Sequence, residues 1–206
     1  MAPSRAKQLW SRTTHQRPRA WVTVWTVVLL FSGQGFRYLL GVPLYAVLVA
    51  LTVVAVAVCF RRFLGRLRVP PLVATFVALA ALSVLWSATP GVTALAAGAL
   101  AVTTFVAVAI ARGTSRGQFM AFFYRGLQVS LFGGLLFELI VAFVVRADLP
   151  PIATDLSSIA KVDGGGEPIM WSRNNLLVGG PIQGFVGNRN PFAALALLAA
   201  IVAVIL

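Results

Sequence analysis

The segment Pro181–Pro191, with the sequence PIQGFVGNRNP, has the composition of an anion-binding helix start. Asn190 followed by Pro191 predicts an N-cap and the first residue of an apolar helix. An asparagine side chain accepts a free main-chain N–H, and proline has no N–H to lose at that position. Arg189 adds a fixed positive charge beside the positive end of the helix dipole. Together these features favour a phosphate or a carboxylate, although the same pattern is also typical of an ordinary capped junction between a loop and a helix.

Other residues near this segment could contribute to a site. Gly184 and Gly187 allow tight, left-handed turns and a close approach of the main chain to a ligand. Arg173 supplies a second positive charge earlier in the same polar stretch. Trp171 lies close to it, and its planar ring could serve as a platform for a sugar face or as an interfacial anchor.

A carboxyl group stands within one of the long apolar runs. Gly126, Ser130 and Gly134 recur every four residues, which places them on one helix face and permits close helix contact, and Glu138 continues that face. An acid inside a membrane span is costly and normally faces protein or water. Glu138 therefore either lines the outer half of a cavity, where it pairs with a basic residue or a substrate hydroxyl, or is a protonated or hydrogen-bonded packing residue. The candidate cavity residues are Glu138, Trp171 and Gln183.

The composition indicates an all-α integral membrane protein. The chain has 206 residues, of which 59% are hydrophobic and 11% charged, and the mean hydropathy is +0.90. Soluble domains carry about a quarter charged residues. The net charge of +12 comes from residues placed between apolar runs, so membrane orientation and lipid headgroups explain it better than nucleic acid does. With one cysteine, Cys59, and one histidine, His15, we expect no disulfide, no metal site and no cofactor.

The order of apolar and polar segments predicts a polytopic helical bundle with about six membrane spans. Residues 1–20 form a basic tail, residues 21–145 hold about five spans, residues 146–190 form a long loop, and residues 191–206 begin a further span. The five spans are predicted at about 21–40, 44–60, 72–86, 92–111 and 119–145, and Gln34, Gly35 and Arg37 are expected to disturb the outer end of the first. Because the last apolar run has no polar flank, we expect the chain to be an incomplete piece of a longer protein.

Charge asymmetry predicts the orientation of these spans. The tail and the loops after the second and fourth spans carry most of the basic residues and no acid. Basic residues collect on the cytoplasmic side, so the N-terminus is expected in the cytoplasm and the long loop outside the plasma, or inner, membrane. Four of the five acids lie in that loop, namely Asp148, Asp155, Asp163 and Glu167.

Two segments, taken together, resemble the O-antigen ligase and O-antigen polymerase superfamily. LSVLWSATPG at residues 82–91 resembles the turn that follows an early span in that family. QGFVGNRNPFAALALL at residues 183–198 resembles the Gly-x-x-x-Asn-x-Asn segment that opens a later span. The resemblance covers most of this chain but only about the N-terminal half of a typical member.

This resemblance implies a multi-pass glycosyltransferase that takes glycan from a polyprenyl-diphosphate carrier outside the membrane. The acceptor would be lipid A core, another glycan chain or a protein, and membrane lipid would be a further partner. Members are thought to need no metal. Arginines hold the diphosphate, and a histidine in a later outer loop acts as general base. That histidine is expected downstream of Leu206, so the chain by itself is expected to be inactive.

The resemblance also implies which residues bind the donor diphosphate. Many relatives have an arginine just before the glycine of the motif, whereas this chain has Pro181, Ile182 and Gln183 there. The diphosphate contact is therefore expected from other residues. They are Asn188, Arg189, Asn190, Arg173, Gly184 and Gly187.

Two alternatives stay open at this point. A transporter or flippase of lipid-linked glycan would need ionisable residues in several spans, and Glu138 alone is clearly intramembrane. A noncatalytic membrane component of a cell-envelope assembly complex is the second alternative.

Overall fold

In the computed structural model of the chain, residues 17–65, 68–153 and 170–205 are described, and each regular element among them is a helix. We number the helices α1 to α5. Helix α4 continues directly into a π-helical turn, Val141–Val145, and a 3₁₀ turn, Ser83–Trp86, follows α2. The helices are α1 (Arg17–Leu64), α2 (Pro71–Leu82), α3 (Pro90–Gly113), α4 (Arg116–Ile140) and α5 (Arg189–Ile205).

Three of these helices are long and apolar enough to cross a membrane. They are α1, α3 and the continuous helix Arg116–Val145, whereas Pro71–Trp86 and α5 are apolar but shorter. The prediction of an all-helical chain is therefore confirmed for the described residues, and the three long helices indicate a membrane protein. Much of the basic tail, Arg66, and residues 154–169 with Lys161, Gly164–Gly166 and three of the loop acids lie outside the described residues.

Helix α1 contains the first two predicted spans and breaks at Gly41. This residue has φ 78° and ψ 170°, which lie outside the helical region, and Pro43 follows it without an N–H to donate. The predicted disturbance at Gln34–Arg37 was wrong, because the chain remains helical there. Trp25 Nε1 donates to Thr52 Oγ1 at 3.0 Å, so the two arms of α1 lie side by side.

The chain divides into two compact units, which we describe separately. The first comprises Met1–Arg19 and Val53–Phe119. In it, Ser87 forms the turn before α3: its hydroxyl accepts the N–H of Thr89 at 3.1 Å and lies 2.6 Å from the hydroxyl of Thr93. Pro90 is the first residue of α3, where its missing N–H is harmless. The LSVLWSATPG segment thus has a structural role as a helix–turn–helix connection.

The second unit comprises Ala20–Thr52 and Met120–Leu206 and carries the loop residues of interest. Its core joins α1, α4, α5 and one loop residue. The buried members are Val27, Leu127, Val186, Phe192, Leu195, Ala199 and Val202. The four α5 members recur at helical spacing and form the stripe by which α5 is held.

The small-residue face of α4 packs as its spacing predicted. Gly126, Ser130, Gly134 and Glu138 are all buried. A Cβ at Gly126 would lie 2.6 Å from the Val27 side chain, and a Cβ at Gly134 would lie 2.6 Å from the Phe192 ring. Glycine therefore lets α1 and α5 approach α4 closely at these two positions.

Candidate functional site

Glu138, near the C-terminal end of α4, is the centre of the polar structure in the second unit. Its side chain is 1% exposed. Oε1 accepts the main-chain N–H groups of Gln183 at 3.0 Å and Gly184 at 2.7 Å, and Oε2 accepts the hydroxyl of Ser172 at 2.8 Å. Both oxygens are thus satisfied by hydrogen-bond donors, as buried polar groups generally are. One carboxyl group ties two separate parts of the loop to one helix end.

Further hydrogen bonds hold the same loop segments together. Leu149 and Ser172 form an antiparallel β-bridge. The amide of Gln183, with its nitrogen oriented toward acceptors, donates to the carbonyls of Met170 at 2.9 Å and Trp171 at 2.7 Å. The carbonyl of Tyr38 in α1 accepts the N–H groups of residues 152 and 153, both at 3.0 Å. Hydrogen bonds therefore hold the described parts of the loop to each other and to α1.

Trp171 is a packing residue here. It is 2% exposed and stacks on Phe137 with ring centres 4.7 Å apart. The rings of Tyr38 and Phe185 meet it edge-on, and its Nε1 donates to the Phe185 carbonyl at 3.3 Å. This placement argues against the sugar-platform interpretation of Trp171, because protein side chains cover the ring.

Glu138 and Gln183 likewise form hydrogen bonds to residues of the loop. The structure favours the packing interpretation of Glu138, whose hydrogen bonds go to Ser172, Gln183 and Gly184. The expectation that Glu138, Trp171 and Gln183 line a cavity stays a prediction. In the structure, their hydrogen bonds and ring contacts hold the loop against α4.

Gly184 and Gly187 adopt the left-handed conformation that the sequence predicted, with φ of 62° and 78°. However, the space beside them is filled. A Cβ at Gly184 would lie 2.8 Å from Phe192, and one at Gly187 would lie 2.8 Å from Tyr38. Their N–H groups are also engaged, by Glu138 Oε1 and by the carbonyl of Gly184. These glycines permit close packing of aromatic rings, so a close approach to a ligand is not supported at them.

The N-cap of α5 is Asn188, which corrects the prediction of Asn190. The helix begins at Arg189. The side-chain Oδ1 of Asn188 accepts the N–H of Asn190 at 3.0 Å, and its carbonyl accepts the N–H of Phe192 at 3.2 Å. Pro191 therefore occupies the third helical position, where its missing N–H is again harmless.

The position of the N-cap determines which groups at the start of α5 could bind an anion. Asn190 donates its N–H to the cap, and Pro191 has none. Among the described residues, no partner accepts the N–H of Arg189, and the Arg189 side chain is exposed beside it. Asn188 and Asn190 are exposed on either side. An anion at this corner would thus meet one guanidinium, one main-chain N–H and two side-chain amides.

All nine predicted site residues lie in this unit. Arg173 directly follows Ser172 and is partly exposed. Sequence reasoning missed Ser172, a buried loop residue whose hydroxyl donates to Glu138 Oε2. No periodic pattern marks this serine, because it lies in the polar loop. Within the described ranges, no group of three or more His, Cys, Asp or Glu side chains could hold a metal ion.

Comparisons with known protein families, with curated proteins and with solved structures found no match.

Proposed function

We propose that the chain is the N-terminal part of a membrane glycosyltransferase of the O-antigen ligase or polymerase type. In this proposal, glycan is transferred or polymerised from a polyprenyl-diphosphate donor on the outer face of the plasma membrane. The chain passes the membrane about six times, with its N-terminus in the cytoplasm and residues 146–190 outside. The general base is a histidine beyond Leu206, and the acceptor is a glycan or a lipid.

The observation that supports this proposal most directly is the corner at the start of α5. Arg189 is exposed there, with its own N–H open and the asparagines Asn188 and Asn190 beside it. A diphosphate leaving group needs fixed positive charge and donors aimed at its oxygens. The hydrogen bonds of Glu138 help to fix this corner. They hold Gly184, which lies a few residues before Arg189 in the sequence.

The packing of Gly184 and Gly187 reduces the number of residues that can contact the diphosphate of the glycan donor. Their N–H groups are already used within the protein, so the diphosphate contact falls on the Arg189 guanidinium and N–H and on the side chains of Asn188 and Asn190. Asn188 uses its Oδ1 for the cap and keeps its Nδ2 as a donor. Arg173 is the second cation of the proposed site.

The test is Arg189→Ala in the full-length protein, expressed in a strain that lacks the native copy. We expect transferred glycan to fall at least about tenfold, since a hydrogen bond to a charged group contributes about 1.5–3 kcal/mol, while carrier-linked glycan accumulates. Arg189→Lys should retain part of the output, because it keeps the charge but loses the paired geometry of the guanidinium.

Arg116→Ala is a matched control. Arg116 is also the first residue of a helix and is also exposed, but the proposed topology puts it on the cytoplasmic side. Its loss should leave glycan output unchanged. Normal output from Arg189→Ala at equal membrane abundance would exclude the donor corner.

A further inference from the structure

The loop of the second unit presents two apolar side chains at an exposed tip. Leu177 is 65% exposed and Val178 is 84% exposed. Both lie in the turn between Asn175 and Gly180, which we call the apolar tip. Single exposed apolar residues are common on proteins, but two consecutive ones at the end of a well-formed turn need a reason.

The turn holds its shape without these two side chains. The carbonyl of Asn175 accepts the N–H groups of Val178 at 3.3 Å, Gly179 at 3.1 Å and Gly180 at 3.3 Å. The Asn175 side chain also donates to the carbonyl of Pro181 at 3.3 Å. Gly179 has φ +84°, a conformation suited to glycine. Hydrogen bonds of the main chain and of the Asn175 side chain therefore define the turn. The apolar side chains of Leu177 and Val178 lie exposed on it.

Both ends of the tip are anchored at the same helix end. Ser172 on one side and Gly184 on the other bond to Glu138, near the C-terminal end of α4. An extended chain advances about 3.4 Å per residue, so Leu177 lies within about 17 Å of Ser172. Helix α4 belongs to a segment apolar and long enough to span a membrane. The tip is thus confined to the region where that helix would leave the bilayer.

The neighbouring surface has the character of a membrane interface. Phe143 and Val144, at the end of the same helical segment, are 56% and 74% exposed. Arg146 follows them and is exposed, and Arg173 precedes the tip. Apolar side chains next to arginines suit the boundary between acyl chains and phosphate headgroups.

We propose that Leu177 and Val178 insert into the lipid surface at the C-terminal end of α4, as a membrane-contacting tip that keeps the loop at the bilayer. The occupant of this surface is phospholipid. The proposal needs no catalytic activity and does not depend on the proposed function.

The experiment is site-directed fluorescence in vesicles. Cys59, the chain's single cysteine, is replaced by serine. A cysteine is then introduced by Leu177→Cys, Val178→Cys, Phe132→Cys or Asn190→Cys, and each variant is labelled with the fluorophore NBD. Phe132 is a lipid-facing reference in mid-α4, 63% exposed, and Asn190 is an exposed reference at the start of α5. The labelled chains are reconstituted in phosphatidylcholine vesicles with and without phosphatidylglycerol.

We expect the labels at 177 and 178 to emit at shorter wavelength than the label at 190, to lose quenching by aqueous iodide, and to gain quenching by lipids that carry a doxyl group near the headgroup. Iodide quenching as strong as that of NBD-labelled free cysteine in the same buffer would overturn the proposal. A blue-shifted label that doxyl lipid does not quench would overturn it too, because the tip would then be covered by protein. Since both side chains are largely exposed, labelled chains should melt at the temperature of the Cys59→Ser parent. The labels at 177 and 178 should also give the same emission shift and quenching, which excludes an effect of one label alone.

Discussion

Glu138 Oε1 lies 2.7 Å from the main-chain nitrogen of Gly184, which joins residues 46 positions apart in the sequence. The bond connects the end of α4 to the turn that leads into α5. Because Gln183 and Ser172 share the same carboxyl group, one side chain of α4 holds the loop segment that leads into α5. The exposed corner at Arg189 therefore depends on a residue that is itself hidden from solvent.

Glu138→Ala should lower the free energy of unfolding of the second unit by about 2–4 kcal/mol. The substitution leaves two N–H groups and one hydroxyl without their acceptor, and an unsatisfied buried donor costs about 1–3 kcal/mol. Unfolding in mixed micelles, followed by the fluorescence of a variant in which the other four tryptophans are replaced by phenylalanine and the buried Trp171 is kept, would measure the loss.

Glu138→Gln keeps a hydrogen-bonding group at both positions of the carboxyl. Its Oε1 can still accept from Gln183 and Gly184, and its Nε2 can donate to Ser172 Oγ. We expect a loss of about 1 kcal/mol, because the bond to Ser172 must exchange its donor and acceptor. If the alanine variant were as stable as the parent, the carboxyl group would not be the anchor of the loop.

Two adjacent glycines of α4 give a stability test of helix packing. A Cβ at Gly134 would lie 2.6 Å from the Phe192 ring, whereas a Cβ at Gly133 would meet nothing within 4 Å. Gly134→Ala should cost about 1–3 kcal/mol through overpacking. Gly133→Ala should be neutral or stabilising by up to about 1 kcal/mol, because alanine is the better helix former. Thermal melting of the two variants in one detergent compares them, and equal melting temperatures would contradict the close contact of α4 with α5.

The helices and the packed face of α4 could be predicted from the sequence, because both follow from local spacing. Gly126, Gly134 and Glu138 share a face through helix geometry alone. The partners of Glu138 could not be predicted, since they come from a loop that no periodic pattern constrains. The interior position of Trp171 was missed for the same reason: three of the rings around it, those of Tyr38, Phe137 and Phe185, come from distant parts of the chain.

The first residue of α5 could not be predicted from the sequence, for a different reason. The sequence Asn188-Arg189-Asn190-Pro191 contains two asparagines that could cap, and proline is tolerated throughout the first helical turn. Local rules therefore allowed two starts. The Gly187 turn against Tyr38 is a tertiary contact, and it lies immediately before the start that is observed.

The left-handed glycines allow backbone strain to be separated from crowding. Gly179 and Gly184 both have positive φ, but a Cβ at Gly179 would meet nothing while one at Gly184 would lie 2.8 Å from Phe192. Gly179→Ala should cost about 1–2 kcal/mol, the penalty of the left-handed region. Gly184→Ala should cost more, because about 1–3 kcal/mol of overpacking adds to it. Denaturant titrations of both variants measure the difference, and a smaller loss at 184 than at 179 would contradict the packing of that turn on α5.

Substitutions of the two asparagines at the start of α5 should distinguish a role in helix capping from a role in diphosphate binding. Asn188→Ala removes the cap and should lower stability by about 0.5–2 kcal/mol. Asn190→Ala removes an exposed amide whose main-chain N–H stays bonded to Asn188, so its stability should change by less than about 0.5 kcal/mol. If the Asn190 amide contacts the donor diphosphate as proposed, glycan output from the full-length Asn190→Ala variant should still fall. Asn188→Ala should therefore lower both the melting temperature and the glycan output, whereas Asn190→Ala should lower the output alone. Asn188→Asp is a control that retains the cap but places a negative charge at the corner. Wild-type output from both Asn190→Ala and Asn188→Asp would leave the corner with a folding role alone, because a carboxylate beside Arg189 should repel a diphosphate.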